Sequence, residues 1–122
     1  MLENMDLSKL LDKQAYKEWM PKLRQELWRL QRQAFETGMP IAVVFEGWDA
    51  AGKGDSINRL SQWLDPRGLR VHPISAPLED ELLRPFLWRF WLKLPEAGCM
   101  AIFDRSWYGR VLVERIDKLC TK

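Results

Sequence analysis

The stretch Ile41-Ala42-Val43-Val44-Phe45-Glu46-Gly47-Trp48-Asp49-Ala50-Ala51-Gly52-Lys53-Gly54 decides the fold. It opens with five apolar residues, the pattern of a strand buried on both faces of a parallel sheet. A glycine-bounded turn ending in Gly-Lys follows, and then a stretch that reads as helix. That order of strand, loop and helix is what a phosphate-binding loop requires. Successive backbone N–H groups wrap a phosphate, the helix N-terminus adds its positive end, and the lysine reaches the transferring group. Gly47 and Gly52 stand at the G-x-x-x-x-G-K spacing. Glycine suits both positions because the backbone must turn at unusual φ and approach phosphate without a Cβ in the way.

One position departs from that pattern. Gly54 stands where Ser or Thr commonly follows the lysine and holds Mg²⁺, and Ser56 comes two residues later. The metal must be held by another group, and Asp49 inside the loop is the candidate, since Mg²⁺ prefers carboxylate and water oxygens. The plain alternative is a tight strand-to-helix turn with no ligand; the buried-strand pattern before it favours the loop.

Downstream, Cys99-Met100-Ala101-Ile102-Phe103-Asp104-Arg105-Ser106-Trp107-Tyr108-Gly109-Arg110 is the second informative stretch. An apolar strand ending in Asp is the Walker B arrangement. In a parallel sheet that carboxylate emerges at the C-terminal edge, where the phosphate loop also opens. Asp104 can hold Mg²⁺ from there, directly or through water. Arg105 and Arg110 add fixed positive charge for a polyanion and for charge developing in a transition state. The alternative for Asp104 is a cap on the next helix, expected over Val111–Leu119.

Upstream, residues 7–37 read as helix. Tyr16, Met20, Leu23, Leu27, Leu30 and Ala34 recur at steps of four and three and line one face. Lys17, Lys22, Arg24, Arg29 and Arg32 lie on the other, mixed with Glu18, Glu26 and Glu36, so a solvated amphipathic helix is expected rather than a polyanion surface. Pro21 either kinks the helix or begins a second one, and Gly38 and Pro40 end it. Between the two informative stretches, a helix near 53–64 presents Ile57, Leu60, Trp63 and Leu64 on one face. Asp65-Pro66-Arg67-Gly68 then turns the chain, and Leu69 to Ile74 reads as a short second strand. His72 has no readable partner and takes a structural or surface role. An aromatic run, Pro85 to Lys93, reads as packing against the sheet in preference to a base-stacking platform, with Pro85 opening a turn or kinking a helix.

Composition bounds the rest. The chain has 122 residues, 47% of them hydrophobic and 30% charged, which suits one modest globular domain. A net charge of +2 gives no argument for a nucleic-acid partner. No apolar run reaches the roughly 18 residues that span a bilayer, and the N-terminus has no secretion-signal pattern. Cys99 and Cys120 lack metal-ligand spacing; Cys99 reads as a small core residue. A cytoplasmic setting fits, with neither membrane nor nucleic acid as partner.

The expected fold is therefore α/β: a three-layer α/β/α arrangement of the P-loop NTPase type around a parallel sheet, preceded by an amphipathic helix. Residues 1–38 form the helical segment, and 39–122 the N-terminal part of a P-loop kinase domain. Three strands are visible (about 41–46, 70–75 and 99–104) where such a domain has about five. One sheet edge is thus expected bare, unless another chain covers it; the last strands are expected to lie outside this chain.

Gly47-Trp48-Asp49-Ala50-Ala51-Gly52-Lys53-Gly54, Phe103-Asp104-Arg105-Ser106-Trp107-Tyr108 and Pro85-Phe86-Leu87-Trp88-Arg89-Phe90-Trp91 together resemble polyphosphate kinase family 2, from about Tyr16 to Arg115. Gly after the lysine is that family's form, and the family's lid, C-terminal to the second motif, is expected to lie outside this chain. The resemblance implies Mg²⁺-dependent phosphoryl transfer between inorganic polyphosphate and a nucleoside mono- or diphosphate, AMP, ADP or GDP, by a homo-oligomer. It implies that Asp49 and Asp104 serve Mg²⁺ and position phosphate, Lys53 grips the phosphates, and Arg105 contacts the transferred group. By the same resemblance Gly47, Ala50, Ala51, Gly52, Gly54, Asp55 and Arg110 join Lys53 around phosphate, and Tyr108 and Glu114 join Arg105 at the nucleotide. Two other readings remain open: an ATP-dependent kinase of nucleotides or small metabolites, and a catalytically silent phosphate-binding or assembly module.

Overall fold

The computed structural model describes residues 10–118. Its first element, α1 (Lys13–Thr37), opens on Asp12, whose carboxylate accepts from the N–H groups of Gln14 and Ala15. It runs unbroken through Pro21, so the proline begins no second helix. The expected residues 7–9 lie outside the described part. Gly38, at φ 68°, ends the helix: its N–H and that of Met39 close back on the carbonyls of Phe35 and Ala34 at 3.2 and 2.9 Å.

The apolar face expected of α1 is only partly used. Ala34 is buried, but Leu23 and Leu30 remain about half exposed. The buried polar residue Gln31 carries the helix's attachment. Its side-chain amide donates to the Asp65 carbonyl at 3.0 Å and accepts from the Asp65 N–H at 2.7 Å.

The sheet consists of β1 (Ile41–Phe45), β2 (Leu69–Pro73) and β3 (Met100–Asp104), all parallel, in the order β1-β3-β2. The central strand is the one ending in Asp104, and Ala101, Ile102 and Phe103 in it are buried. The strand before the loop pairs on one side only among the described residues. This corrects the expectation of burial on both faces: Ala42 is exposed and its neighbours half-buried. An apolar run marks a strand as sheet-forming; its place in the sheet depends on which strands flank it.

Side chains alternate across β3. On one face Ala101 and Phe103 join Phe90 in the core, with Val44, Ile74, Phe86 and Trp107 packed around them. On the other, α2 (Lys53–Trp63) packs against β3 and α1 against α2, with Ile57 and Leu64 buried. Two short helices follow β2, the acidic α3 (Glu79–Leu82) and then α4 (Trp88–Trp91), which lies within the aromatic run, and Pro85 sits between them. Phe90 meets Phe86 and Trp107 edge-to-face at 5.5 and 5.8 Å, so this run packs the core as expected, although Trp91 faces solvent.

Two expectations fail here. Cys99 is half-buried rather than a core residue, and Cys120 lies outside the described residues. Beyond Gly109 the chain makes one π turn, Arg110–Glu114, in place of an α-helix over 111–119; residue 119 lies outside the described part. The physical reason is packing. Val111, Leu112, Val113 and Ile116 are all exposed, and a short helix rich in β-branched residues holds only where an apolar face is buried.

Candidate functional site

The loop after β1 owes its course to residues able to sit at positive φ. Gly47 lies at φ 149° and Gly52 at 84°, both positions where glycine is needed, while Ala50 at 60° is held left-handed at a cost. Across the sheet edge Arg105, the residue after β3, is left-handed too, at 66°. Such strain persists where surrounding bonds over-determine it, and it gathers at ligand clamps.

Asp49, Ala50, Ala51, Gly52, Lys53, Gly54, Asp55, Asp104 and Arg105 line one open cavity of about 350 Å³ at the C-terminal edge of the sheet. The parallel register Phe45↔Asp104 puts the ends of β1 and β3 level, which is why loop and carboxylate share the cavity. Lys53 Nζ donates to the carbonyls of Gly47 and Trp48, each at 2.9 Å. Arg105 Nη2 donates to Asp49 Oδ1 at 2.6 Å, a bridge in which both side chains remain largely exposed. The cations that could meet phosphate are thus held by the loop itself. A ligand that displaces these partners inherits donors already in position.

Asp104 ends β3 in extended backbone, and its carboxylate caps no helix among the described residues, so the capping alternative has no support. Among the described residues no group of three or more His, Cys, Asp and Glu side chains converges as a metal cage. Asp49 and Asp104 on one cavity still fit Mg²⁺, which takes one or two carboxylates and completes its shell with water and substrate phosphate.

Asp55 sits in the first turn of α2, where its charge complements the helix's positive end. It therefore competes with an arriving phosphate for that end, although its backbone N–H can still donate. Three other predicted residues are not brought to the cavity. Arg110 lies over the Phe86 ring, 4.1 Å from its centre, and pairs with Glu114 at 2.8 Å; Tyr108 is half-exposed beside Trp107.

Sequence reading passed over one contact at the base of the site. Ser106, almost wholly buried, donates from Oγ to Glu46 Oε1 at 2.7 Å and accepts from the Tyr108 N–H at 3.2 Å. The available signal was positional: Glu46 directly precedes the first loop glycine, and Ser106 follows Asp104-Arg105. His72, given a structural or surface role, packs against Phe103 with ring centres 5.4 Å apart. Burial, then the charges of Lys93 and Arg70, push its pKa down.

The polyphosphate kinase 2 family model matches residues 10–122. A polyphosphate:AMP phosphotransferase of Pseudomonas aeruginosa is 48% identical over 98% of this chain and 24% of its own length. A GDP-polyphosphate phosphotransferase of Mycolicibacterium smegmatis is 43% identical over 87% of this chain and 38% of its own. The crystal structure of polyphosphate kinase 2 from Arthrobacter aurescens TC1 superposes with a TM-score of 0.88 at 28% identity, covering 99% of this chain and 46% of that one. The chain thus spans roughly a quarter to two fifths of the curated relatives it matches.

Proposed function

Since the chain belongs to the polyphosphate kinase 2 family, we propose that it supplies the phosphate-gripping part of a site for Mg²⁺-dependent phosphoryl transfer between inorganic polyphosphate and a nucleoside mono- or diphosphate. The observation that carries this reading is the convergence of Asp49, Lys53, Asp104 and Arg105 on one cavity at the strand ends. Residues 39–122 then belong to a P-loop kinase domain and 1–38 to its leading helical segment. The same reading carries a homo-oligomer in the cytoplasm. Among the described residues no helix is long and apolar enough to cross a membrane.

The chemistry asks for positioning and charge neutralisation, with little covalent help. Lys53 exchanges the Gly47 and Trp48 carbonyls for phosphate oxygens, and the backbone N–H groups from Ala50 to Asp55 wrap them. Arg105 leaves Asp49 and turns to the transferred group. Asp49 and Asp104 would hold Mg²⁺, which when bound offsets the charge of the phosphates. Arg110, Tyr108 and Glu114 lie off this cavity, and a role at the nucleotide requires them to turn toward it. Relatives named for AMP, ADP and GDP are all similar to this chain, so AMP, ADP and GDP are all acceptors to assay.

The test is transfer to AMP, ADP and GDP by the whole protein, with polyphosphate or ATP as donor and Lys53→Ala as control. Transfer from polyphosphate that falls by about 10²–10³-fold in the variant, the usual loss on removing one stabilising donor, supports the reading. Turnover with ATP alone would point to the metabolite-kinase alternative and overturn it. Full activity in the variant would remove Lys53 from its role.

A further inference from the structure

We infer that Glu46 and Ser106 form a positioning pair whose hydrogen bond holds Arg105 in its left-handed conformation over the phosphate loop. Neither touches the cavity; both act through the residues beside them. The inference rests on the site proposed above and adds to it the question of what keeps two separate loops in register.

The bonding pattern carries the argument. The backbone ladder between β1 and β3 continues one step past the strands, with the Arg105 N–H donating to the Phe45 carbonyl at 3.0 Å. There the two chains part. The first turns into the loop at Gly47, and the second turns at Arg105. The next link is made by side chains: Ser106 Oγ to Glu46 Oε1 at 2.7 Å, a charge-assisted bond in a largely buried setting. Arg105 therefore has a backbone bond at its own N–H and a side-chain pin on the residue that follows.

A non-glycine residue in the left-handed region is strained and reverts to extended or helical φ unless its neighbours prevent it. Asp49 cannot supply the restraint by itself, because it is itself almost wholly exposed and sits in the loop that Arg105 must meet. The Ser106 hydroxyl is bonded in both senses: its proton goes to Glu46, and its oxygen receives the Tyr108 N–H, which fixes the turn after Arg105. Glu46 brings the same restraint to the loop, since the next residue, Gly47, gives its carbonyl to Lys53. One side-chain bond thus ties the Arg105 turn to the Lys53 perch.

The variants Ser106→Ala and Glu46→Ala break the pin, whereas Glu46→Gln keeps an acceptor oxygen at the same reach. In the whole protein we expect Ser106→Ala and Glu46→Ala each to lower kcat for the polyphosphate reaction about 10–100-fold, the scale of a misplacement near 1 Å, with KM for polyphosphate within about threefold. The double variant should lose no more than either single one, as coupled partners do, and Glu46→Gln should recover most of the loss. The second readout needs no turnover. NMR shifts of Arg105 Cα and Cβ in the ligand-free protein report its φ, and in both alanine variants they should move away from left-handed values. Alanine variants whose Arg105 shifts and kcat stay at wild-type values, or a double loss equal to the product of the singles, would overturn the inference. Should the unaltered protein transfer nothing from polyphosphate, the functional proposal fails by itself, and the Arg105 shifts still decide whether the pin exists.

Discussion

β1 and β3 are both five residues long, both apolar and paired rung for rung, yet their surroundings differ sharply. Ala42 and Ala101 face each other across one rung; the first is exposed and the second is 1% exposed. Val44 and Phe103 share another, with Val44 half-buried and Phe103 at 0%. Position in the sheet, and not residue type, separates them. The central strand carries the stability and brings Asp104 to the cavity rim. Among the described residues β1 is an outer strand, and it carries the loop, where a ligand needs access.

This contrast can be broken most severely at the alanine rung. Ala101→Asp should prevent folding, because an ionised carboxylate would be buried without a partner. Ala42→Lys should change stability by no more than about 1 kcal/mol, the span of strand propensities. Circular dichroism and urea melts of both variants make the comparison, and equal loss would refute it. The next rung gives a smaller, graded effect. Phe103→Ala should cost about 3–5 kcal/mol, against about 1 kcal/mol for Val44→Ala, read as shifts in urea midpoint.

His72, on β2, shares the Phe103 rung and extends the comparison to pH. Its pKa is pushed below 6.5 in the folded chain, by burial first and then by Lys93 and Arg70. The unfolded chain therefore takes up a proton that the folded chain resists. Stability is full above the unfolded value, falls as pH drops below about 6.5, and levels off below the folded value. Urea midpoints at about pH 7.5 and 5.5 should show this fall, and His72→Gln should flatten it. The smallest effect belongs to the loop side. Asp55→Asn removes a negative charge from the start of α2 and should tighten polyphosphate binding by about 0.3–1 kcal/mol, a severalfold change in a titration; weaker binding would show that the carboxylate helps.

Glycines and continuous apolar runs made the loop and the sheet legible in the sequence. The spacing of Gly47, Gly52 and Lys53 has one common structural solution, and an apolar run closed by Asp104 points its carboxylate to the same edge. The order of strands was not legible, because hydropathy reports how apolar a segment is and not how many neighbours it has. On α1 the step of three and four residues gave the helix, yet its attachment went to Gln31, a polar residue that periodicity counts against burial. The stretch after Gly109 failed for the complementary reason: its apolar residues imply a buried face, and among the described residues nothing covers them. The Glu46–Ser106 bond was hidden because its halves lie 60 positions apart.

The embrace of Lys53 by two loop carbonyls has one more consequence. A phosphate arriving here finds both cations that line the cavity among the described residues, Lys53 and Arg105, already bonded, so any single phosphate gains less than the charges suggest. A tether changes that balance. In a donor built of many identical links, a phosphate that lets go is followed by a neighbour already at high effective concentration. On the proposed function, such a site would grip a long chain through repeated short holds and let it slip along to present its next link.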